Sequence, residues 1–163
     1  MKSGANKTIS ESGIALNFIS RIKNLNNLQM KINSIEHIGI AVENLEESIK
    51  YYQNILGLEC YAIEEVKDQR VKTAFFKVGE TKIELLETTD PEGPIGKFIA
   101  KKGPGVHHIA FSVDGVQNAL NEVEEKGILL IDKNPRRGAE NLQIGFLHPK
   151  STSGVLTEFC GKE

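Results

Sequence analysis

The sequence predicts an α+β fold in which two tandem βαβββ modules form an open, eight-stranded, barrel-like sheet with helices outside. Two observations predict it: a strand that opens with histidine occurs twice, and similar elements follow each copy. The two copies read EHIGIAV at 36–42 and HHIAFSV at 107–113, an offset of 71 residues. A match at one fixed offset indicates internal duplication. We therefore expect two related halves that bring equivalent side chains to one shared site.

The first module, 31–92, has the pattern strand, helix and three further strands. Asn44 followed by Glu47 three residues later is typical of a helix N-cap, and Gly57 is the expected helix stop. Apolar periodicity places the five elements near 35–42, 44–56, 58–67, 70–78 and 81–88.

The second module, 105–163, repeats this order after a connecting segment at 93–104. Gly and Pro bound that segment, and its apolar spacing predicts a helix. Asp114 with Gln117 three residues later repeats the N-cap pattern of the first module. The predicted elements of this module lie near 106–113, 114–126, 128–132, 141–147 and 154–160.

Residues 1–30 form an N-terminal extension that differs in composition from the modules. It is rich in Ser, Asn and Lys, and it is either unstructured or a short amphipathic helix through Ile14 and Phe18. Cys60 and Cys160 lie far apart, which favours free thiols and a cytoplasmic protein. The alternative location is the mitochondrial matrix, if the extension is a transit segment.

The charge and hydropathy of the chain exclude two partner classes. The formal net charge is −2 over 163 residues, so no basic field favours nucleic acid. No apolar run approaches the roughly 20 residues that span a membrane.

Strand alternation predicts that the two strands with the histidines form one wall of a cavity. His37, Gly39 and Ala41 share one face of the first strand, and the equivalent face of the second carries His108. The neighbours of each histidine on that face are small, which leaves room beside it. The same alternation turns His107 to the opposite face, so we exclude it as a metal ligand.

Each module also carries one acid in its last strand. Glu84 lies between Ile83 and Leu85, and Glu158 occupies the corresponding strand of the second module. Together with His37 and His108, these acids form a set of two imidazoles and two carboxylates. That set suits a divalent cation such as Co, Mn, Ni, Fe, Zn or Mg.

On these residues the chain resembles the vicinal oxygen chelate superfamily and, within it, the methylmalonyl-CoA epimerase family. The resemblance spans about 33–160, and its last motif is the most specific. The matching stretches are HIGIAV at 37–42, YY at 51–52, LGL at 56–58, TKIELL at 81–86, GVHHIA at 105–110 and FLHPKSTSGVLTE at 146–158.

The resemblance implies a metal-dependent epimerase that interconverts (2R)- and (2S)-methylmalonyl-CoA through an enolate. It carries the family ligands over to His37, His108, Glu158 and Glu84, the last where some members have Gln. Some members also carry a proton-transfer acid on the third strand, where this chain has Thr73. The candidate proton-transfer groups are then Glu158, which we favour, and Glu84, with a metal-bound water as the alternative.

The acyl-CoA substrate implied by the resemblance requires contacts for its carboxylate and phosphates. The candidates are Lys150 and Ser151 with His148, in the loop before the last strand. Arg136 and Arg137 on the 135–138 loop are further candidates for the phosphates, and each of these residues could instead be an ordinary surface residue. The resemblance also implies a homodimer.

Three other functions fit the same fold. A glyoxalase-like isomerase would use the same four ligands on a glutathione hemithioacetal. An extradiol dioxygenase would need iron with two His and one carboxylate, and Glu84 as a fourth ligand counts against it. A binding protein without turnover would rely on aromatic side chains, and this chain has no Trp.

Overall fold

The computed structural model describes residues 30–162, in which eight strands form one sheet that curls into a half-barrel and carries three helices. The strands are β1 (Ile32–Ala41), β2 (Cys60–Val66), β3 (Val71–Val78), β4 (Thr81–Thr88), β5 (Gly105–Val113), β6 (Arg136–Arg137), β7 (Gln143–Leu147) and β8 (Leu156–Gly161). The helices are α1 (Leu45–Asn54), α2 (Pro94–Lys102) and α3 (Val116–Glu125). The predicted fold is confirmed. The predictions for 1–29 lie outside the described residues.

The two modules meet at the centre of the sheet. The strand order is β2-β3-β4-β1-β5-β8-β7-β6, so β1 of the first module pairs with β5 of the second. This central pairing is antiparallel, whereas β1 with β4 and β5 with β8 are parallel pairs. One chain therefore brings the first and last strands of both modules side by side.

One helix covers the outer face of each module. Against α1, the first module packs Val42, Phe76 and Leu85. Against α3, which contributes Leu120, the second module packs Phe159. These contacts bury the bulky face of each strand and leave the face with the histidines on the concave side. Within the described residues, no helix is long and apolar enough to cross a membrane.

The connecting helix α2 lies at the concave face of the first module. Its Ile95 packs with Ala41, Val71 and Leu86, which come from three neighbouring strands. This contact closes one side of the half-barrel and narrows the space in front of the histidine strands.

The prediction of a regular strand at 128–132 is wrong, although the segment lies against β7. Leu130 forms a bridge opposite Leu147, and backbone hydrogen bonds of 2.8 Å run from Ile131 N–H to Phe146 O and from His148 N–H to Leu129 O. The carboxylate of Asp132 accepts a hydrogen bond from the Phe146 backbone N–H at 3.0 Å, which interrupts a regular ladder. The sixth strand is instead β6, in a segment where the sequence predicts a loop.

The predicted N-cap of α1 is confirmed, and that of α3 is wrong. Asn44 accepts a hydrogen bond from the Glu47 backbone N–H at 2.9 Å. At α3 the N-cap residue is Gly115, with φ of 76° and no side-chain hydrogen bond. The carboxylate of Asp114 accepts instead from the Asn33 side chain at 3.0 Å, which ties the helix entry to β1.

Candidate metal centre

Two β-bulges in the central pair of strands shape the candidate site. In the β1–β5 register, Glu36 is the extra residue on β1, and His107 is the extra residue on β5. A bulge re-aims the side chains beside it, because two residues of one strand oppose a single residue of the other. Glu36 and His107 consequently line the cavity together with His37 and His108.

The predicted outward orientation of His107 is therefore wrong. Strict alternation sends His107 to the outer face, but the bulge turns its ring to the cavity side. There its Nδ1 lies 2.9 Å from Nδ1 of His108, and its ring contacts Phe98 edge-to-face with centroids 4.9 Å apart. His107 thus touches the candidate ligand His108 on the side remote from the cluster.

The four candidate ligands converge in a buried cluster on the concave face. His37 Nε2 lies 2.9 Å from His108 Nε2 and 3.2 Å from Glu84 Oε2. His108 Nε2 lies 3.5 Å from Glu158 Oε2, and all four side chains are buried. Each module contributes one imidazole and one carboxylate, so the cluster is complete within one chain.

Backbone pairing and one glycine position these side chains. Glu84 on β4 is paired with Gly39 of β1, and Glu158 on β8 is paired with Ala110 of β5. The ring of His108 lies over Gly39, where a Cβ atom would be 2.2 Å from Cε1 of that ring. The small residue that alternation predicted beside His37 thus makes room for the second histidine.

A second group of charges, which the sequence pattern did not reveal, surrounds His37. The Glu36 carboxylate lies 2.5 Å from His37 Nδ1, and Lys82 forms ion pairs with both Glu36 and Glu140. Glu140 also accepts a hydrogen bond from the Tyr61 hydroxyl at 3.1 Å. The sequence does contain one sign of this group: Glu36 and His107 are both polar and are equivalent at the offset of 71 residues.

The pKa values of His37 and His108 are shifted in opposite directions. Burial disfavours the charge of His37, but the bond to Glu36 and the nearby carboxylates Glu84 and Glu158 raise its pKa to about 9. Burial lowers the pKa of His108 well below its usual range, and the charge of His37 lowers it further. One module therefore presents a protonated imidazole at neutral pH, and the other presents a neutral imidazole.

The two acids of the cluster resist ionisation in the absence of a cation. Burial raises the pKa of Glu158 to about 8, and it also raises the pKa of Glu84. Charged side chains that lose their hydration need compensating charge nearby. Two imidazoles and two carboxylates that converge in this way fit a divalent cation, and His37, His108 and Glu158 already hold their ligand atoms within 4.8 Å of one another.

Comparison with known proteins agrees with this geometry. The family model of the Glyoxalase/Bleomycin resistance protein/Dioxygenase superfamily matches residues 36–146. The chain belongs to this superfamily. Mitochondrial methylmalonyl-CoA epimerase of Dictyostelium discoideum is 37% identical over 129 residues, which are 78% of this chain and 77% of that protein. An uncharacterized protein of Bacillus subtilis is 40% identical over 129 residues, 79% of this chain and 92% of its own.

A solved structure shares both the fold and the sequence pattern. A point variant of Streptomyces coelicolor methylmalonyl-CoA epimerase in complex with 2-nitronate-propionyl-CoA superposes with a TM-score of 0.79 at 36% identity. The match covers 81% of this chain and 96% of that one. The predicted resemblance to the epimerase branch of the superfamily is confirmed, and with it the expected enzyme class, an isomerase.

A cavity of about 480 Å³ opens in front of the cluster, as expected for a superfamily member that binds a small molecule. Apolar side chains such as Phe75, Ile95 and Phe146 line part of its wall. Arg136 and Arg137 line it too, because β6 carries them along the edge of the half-barrel.

The three predicted substrate contacts lie in the turn that precedes β8. His148, Lys150 and Ser151 belong to the short turn between β7 and β8 and are not among the residues that line the cavity. The His148 ring accepts a hydrogen bond from the Lys150 backbone N–H at 3.1 Å, and Ser151 accepts one from the Leu129 backbone N–H at 3.0 Å. The structure thus gives two of them partners within the protein.

Thr73 lies on β3, on the side of the first module that carries Glu84. It is fully buried, and its hydroxyl favours the ionised form of Glu84, which acts on the pKa of that acid against the larger effect of burial. A threonine hydroxyl has no carboxylate oxygen to accept a proton and cannot replace an acid as the base. Among the described residues, the carboxylates at the cluster itself are Glu84 and Glu158, with Glu36 behind His37.

Proposed function

We propose that the chain is a metal-dependent epimerase that interconverts (2R)- and (2S)-methylmalonyl-CoA. One observation carries the proposal: two imidazoles and two carboxylates, one of each from either module, converge at the base of a cavity. Likeness to methylmalonyl-CoA epimerases at 36–37% identity supports this choice of substrate.

His37, Glu84, His108 and Glu158 are the proposed ligands of a divalent cation. When bound, the cation would stabilise the negative charge that develops on substrate oxygens as the α-proton leaves. The identity of the ion, among Co, Mn, Ni, Zn and Mg, stays a prediction. The neutral His108 offers a lone pair at once, whereas His37 must first release a proton.

Glu158 and Glu84 are the proposed proton-transfer residues. The α-carbon carries a thioester and a carboxylate, so loss of its proton leaves an electron pair delocalised onto the thioester oxygen as an enolate. One carboxylate accepts that proton, and the other returns a proton to the opposite face of the carbon. The two acids come from different modules, and each must release the cation before it can take up a proton, because the cation and the proton compete for the same carboxylate oxygens.

The cationic side of the cavity would receive the anionic parts of the substrate. Arg136 lies 3.4 Å from Asp132 and over the Phe146 ring, so its guanidinium is held in place at the wall. We propose Arg136 and Arg137 as contacts for phosphates or carboxylate of the acyl-CoA, since guanidinium groups suit bidentate recognition of such oxygens. Contacts from His148, Lys150 and Ser151 stay a prediction.

The direct test is solvent exchange at the α-carbon. The purified chain is incubated with methylmalonyl-CoA in deuterated water, and mass spectrometry follows incorporation of deuterium at that carbon. We expect exchange far above the rate without enzyme, and we expect it to be lost after treatment with a chelator and restored by Co²⁺.

A matched pair of variants tests Glu158 in its two proposed roles, as a ligand and as a proton acceptor, and Co²⁺ binding is measured beside exchange to tell the two roles apart. Glu158→Gln keeps the size of the side chain but cannot accept a proton, so exchange should fall to background. Glu65→Gln changes an exposed acid on β2 and should retain the wild-type rate. Full exchange by metal-free wild-type protein, or by Glu158→Gln, would contradict the proposal.

A homodimer in the cytoplasm is the proposed state of the enzyme. The candidate ligands all come from one chain, so assembly is not needed to complete the cluster. Size-exclusion chromatography with light scattering at several concentrations would report the oligomeric state directly.

A further inference from the structure

Glu36 lies on the cavity side of β1, although regular strand alternation would place its side chain on the opposite face. It immediately precedes His37, so alternation would turn the two side chains to opposite faces. The bulge on β1 brings both to the cavity side, where Glu36 Oε2 lies 2.5 Å from His37 Nδ1. The backbone irregularity thus has a specific result, which is a carboxylate behind the imidazole.

Lys82 holds this carboxylate in place. It lies on β4, where it is paired with His37 of β1, and its ammonium forms ion pairs with both Glu36 and Glu140. The side chains of Lys82 and Glu36 are 17% and 19% exposed, so solvent screens them little. A carboxylate held between an ammonium and an imidazole has little freedom to rotate away.

The contact decides which nitrogen of His37 can bind a cation. A neutral imidazole has one N–H and one lone pair, and the hydrogen bond of one nitrogen fixes the state of the other. With Glu36 accepting from Nδ1–H, the lone pair is at Nε2. That nitrogen faces the cluster, 3.2 Å from Glu84 Oε2 and 2.9 Å from His108 Nε2.

We infer that Glu36 is a positioning residue of the metal centre, which holds His37 in the tautomer that presents Nε2 to the ion, with Lys82 fixing Glu36. The inference rests on the metal centre of the proposed function. Partners of this kind set both the orientation and the basicity of a ligating imidazole, and their loss costs about 10- to 100-fold in metal affinity.

The test measures Co²⁺ affinity, which does not depend on substrate or turnover. Metal-free wild-type, Glu36→Leu, Glu36→Gln, Lys82→Met and the exposed-acid control Glu65→Leu are titrated with Co²⁺ against a competing chelator. We expect Glu36→Leu to bind Co²⁺ about 10- to 100-fold more weakly. Glu36→Gln should lose less, because its amide oxygen can still accept from Nδ1–H, and Lys82→Met should also lose less. Glu65→Leu should match the wild type.

The visible spectrum of bound Co²⁺ separates positioning from a merely structural effect. A change in the band shape of Glu36→Leu, with unaltered circular dichroism, would support a reoriented imidazole. Wild-type affinity within about 2-fold in both Glu36→Leu and Glu36→Gln would overturn the inference alone. If Glu36→Leu fails to fold, Glu36→Ala takes its place, because it also removes the acceptor of the Nδ1–H bond, and the same loss is expected and the same result would overturn the inference. A wild-type chain that does not bind Co²⁺ would overturn the metal centre and this inference together.

Discussion

Both modules place a candidate ligand histidine directly after a β-bulge. The bulged residue itself differs between the two modules. Each has a bulge before its histidine, at Glu36 in the first module and at His107 in the second. Each bulged residue contacts Nδ1 of the histidine that follows it, at 2.5 Å and 2.9 Å respectively. The partner is an anion in one module and an imidazole in the other.

This difference contributes to the different electrostatics of the two halves, together with burial and the charges of the cluster itself. The pKa of His37 is raised to about 9, whereas the pKa of His108 is lowered well below its usual range. Duplication thus accounts for the equivalent positions of the two candidate ligands, while burial, the neighbouring charges and the residue before each histidine together set its affinity for protons. Equivalent geometry does not imply equivalent chemistry.

The largest expected effect comes from removing either imidazole. His37→Ala and His108→Ala should each weaken Co²⁺ binding by more than about 100-fold, beyond the loss expected for a ligand's hydrogen-bond partner. Epimerisation should fall to background in both, as measured by deuterium exchange. A variant that kept near-normal affinity would remove its histidine from the ligand set and break the proposed symmetry of the site.

The second effect compares the two bulged residues directly. His107→Leu should weaken Co²⁺ binding less than Glu36→Leu does, because a neutral hydrogen bond is about half as strong as a charge-assisted one. Competition titrations of the two variants side by side measure this difference. An equal or larger loss in His107→Leu would mean that the charge of Glu36 is not what distinguishes the modules.

A third comparison uses Gly39 and its equivalent, Ala110. Gly39→Ala would place a methyl 2.2 Å from His108 Cε1, so the ring must move, and we expect overpacking to cost about 1–3 kcal/mol in unfolding free energy. Co²⁺ affinity should fall with it. Ala110→Gly is the control, which should lower stability by about 1 kcal/mol with affinity retained. Unchanged Co²⁺ binding in Gly39→Ala would contradict the close approach of the His108 ring to β1.

The pH dependence of metal binding should reflect the different pKa values of His37 and His108. A cation must displace protons from His37, with a pKa of about 9, and from Glu158, with a pKa of about 8, but none from His108. Co²⁺ affinity should therefore rise between pH 6 and about pH 9, with proton release detectable by calorimetry in buffers of different ionisation enthalpy. Affinity that is constant over this range would contradict the assigned proton states.

The stability of the metal-free protein should fall as pH rises, whereas its affinity for Co²⁺ rises. The folded state binds more protons than the unfolded state wherever a folded pKa is raised. For Glu158 this holds between 4.5 and about 8, and for His37 between 6.5 and about 9. Thermal unfolding of the metal-free chain should thus shift to lower temperature as pH rises from 6.5 to about 9, and His37→Gln should flatten this change. Below pH 6.5 the lowered pKa values of His107 and His108 act in the opposite direction.

The smallest expected effect lies at the two helix entries. Asn44→Ala removes the side-chain cap of α1 and should cost about 1 kcal/mol. Asp114→Ala removes only an exposed contact with Asn33 and should stay within about 0.5 kcal/mol. Urea denaturation of both variants measures the difference, and equal losses would show that Asp114 supports α3 after all.

The sequence predicted most of the fold because both modules follow simple periodicities. The repeat at an offset of 71 residues located the histidine strands and the flanking helices. The two acids, at an offset of 74, were located as the single acid in the last strand of each module, and the structure brings all four side chains together. Alternation failed at Glu36 and His107, because a bulge adds a residue without changing the apolar pattern. It also failed at 128–132, where the Asp132 side chain takes over a backbone hydrogen bond.

The most direct test of a metal-dependent epimerase is a titration of the metal-free chain with Co²⁺ in the presence of methylmalonyl-CoA. Both the visible spectrum of the ion and the rate of deuterium exchange are recorded at each addition. We predict that the two signals rise together and level off at one ion per chain. Exchange at full rate before any ion is added, or no exchange at saturation, would contradict a catalytic role for the ion in this cluster.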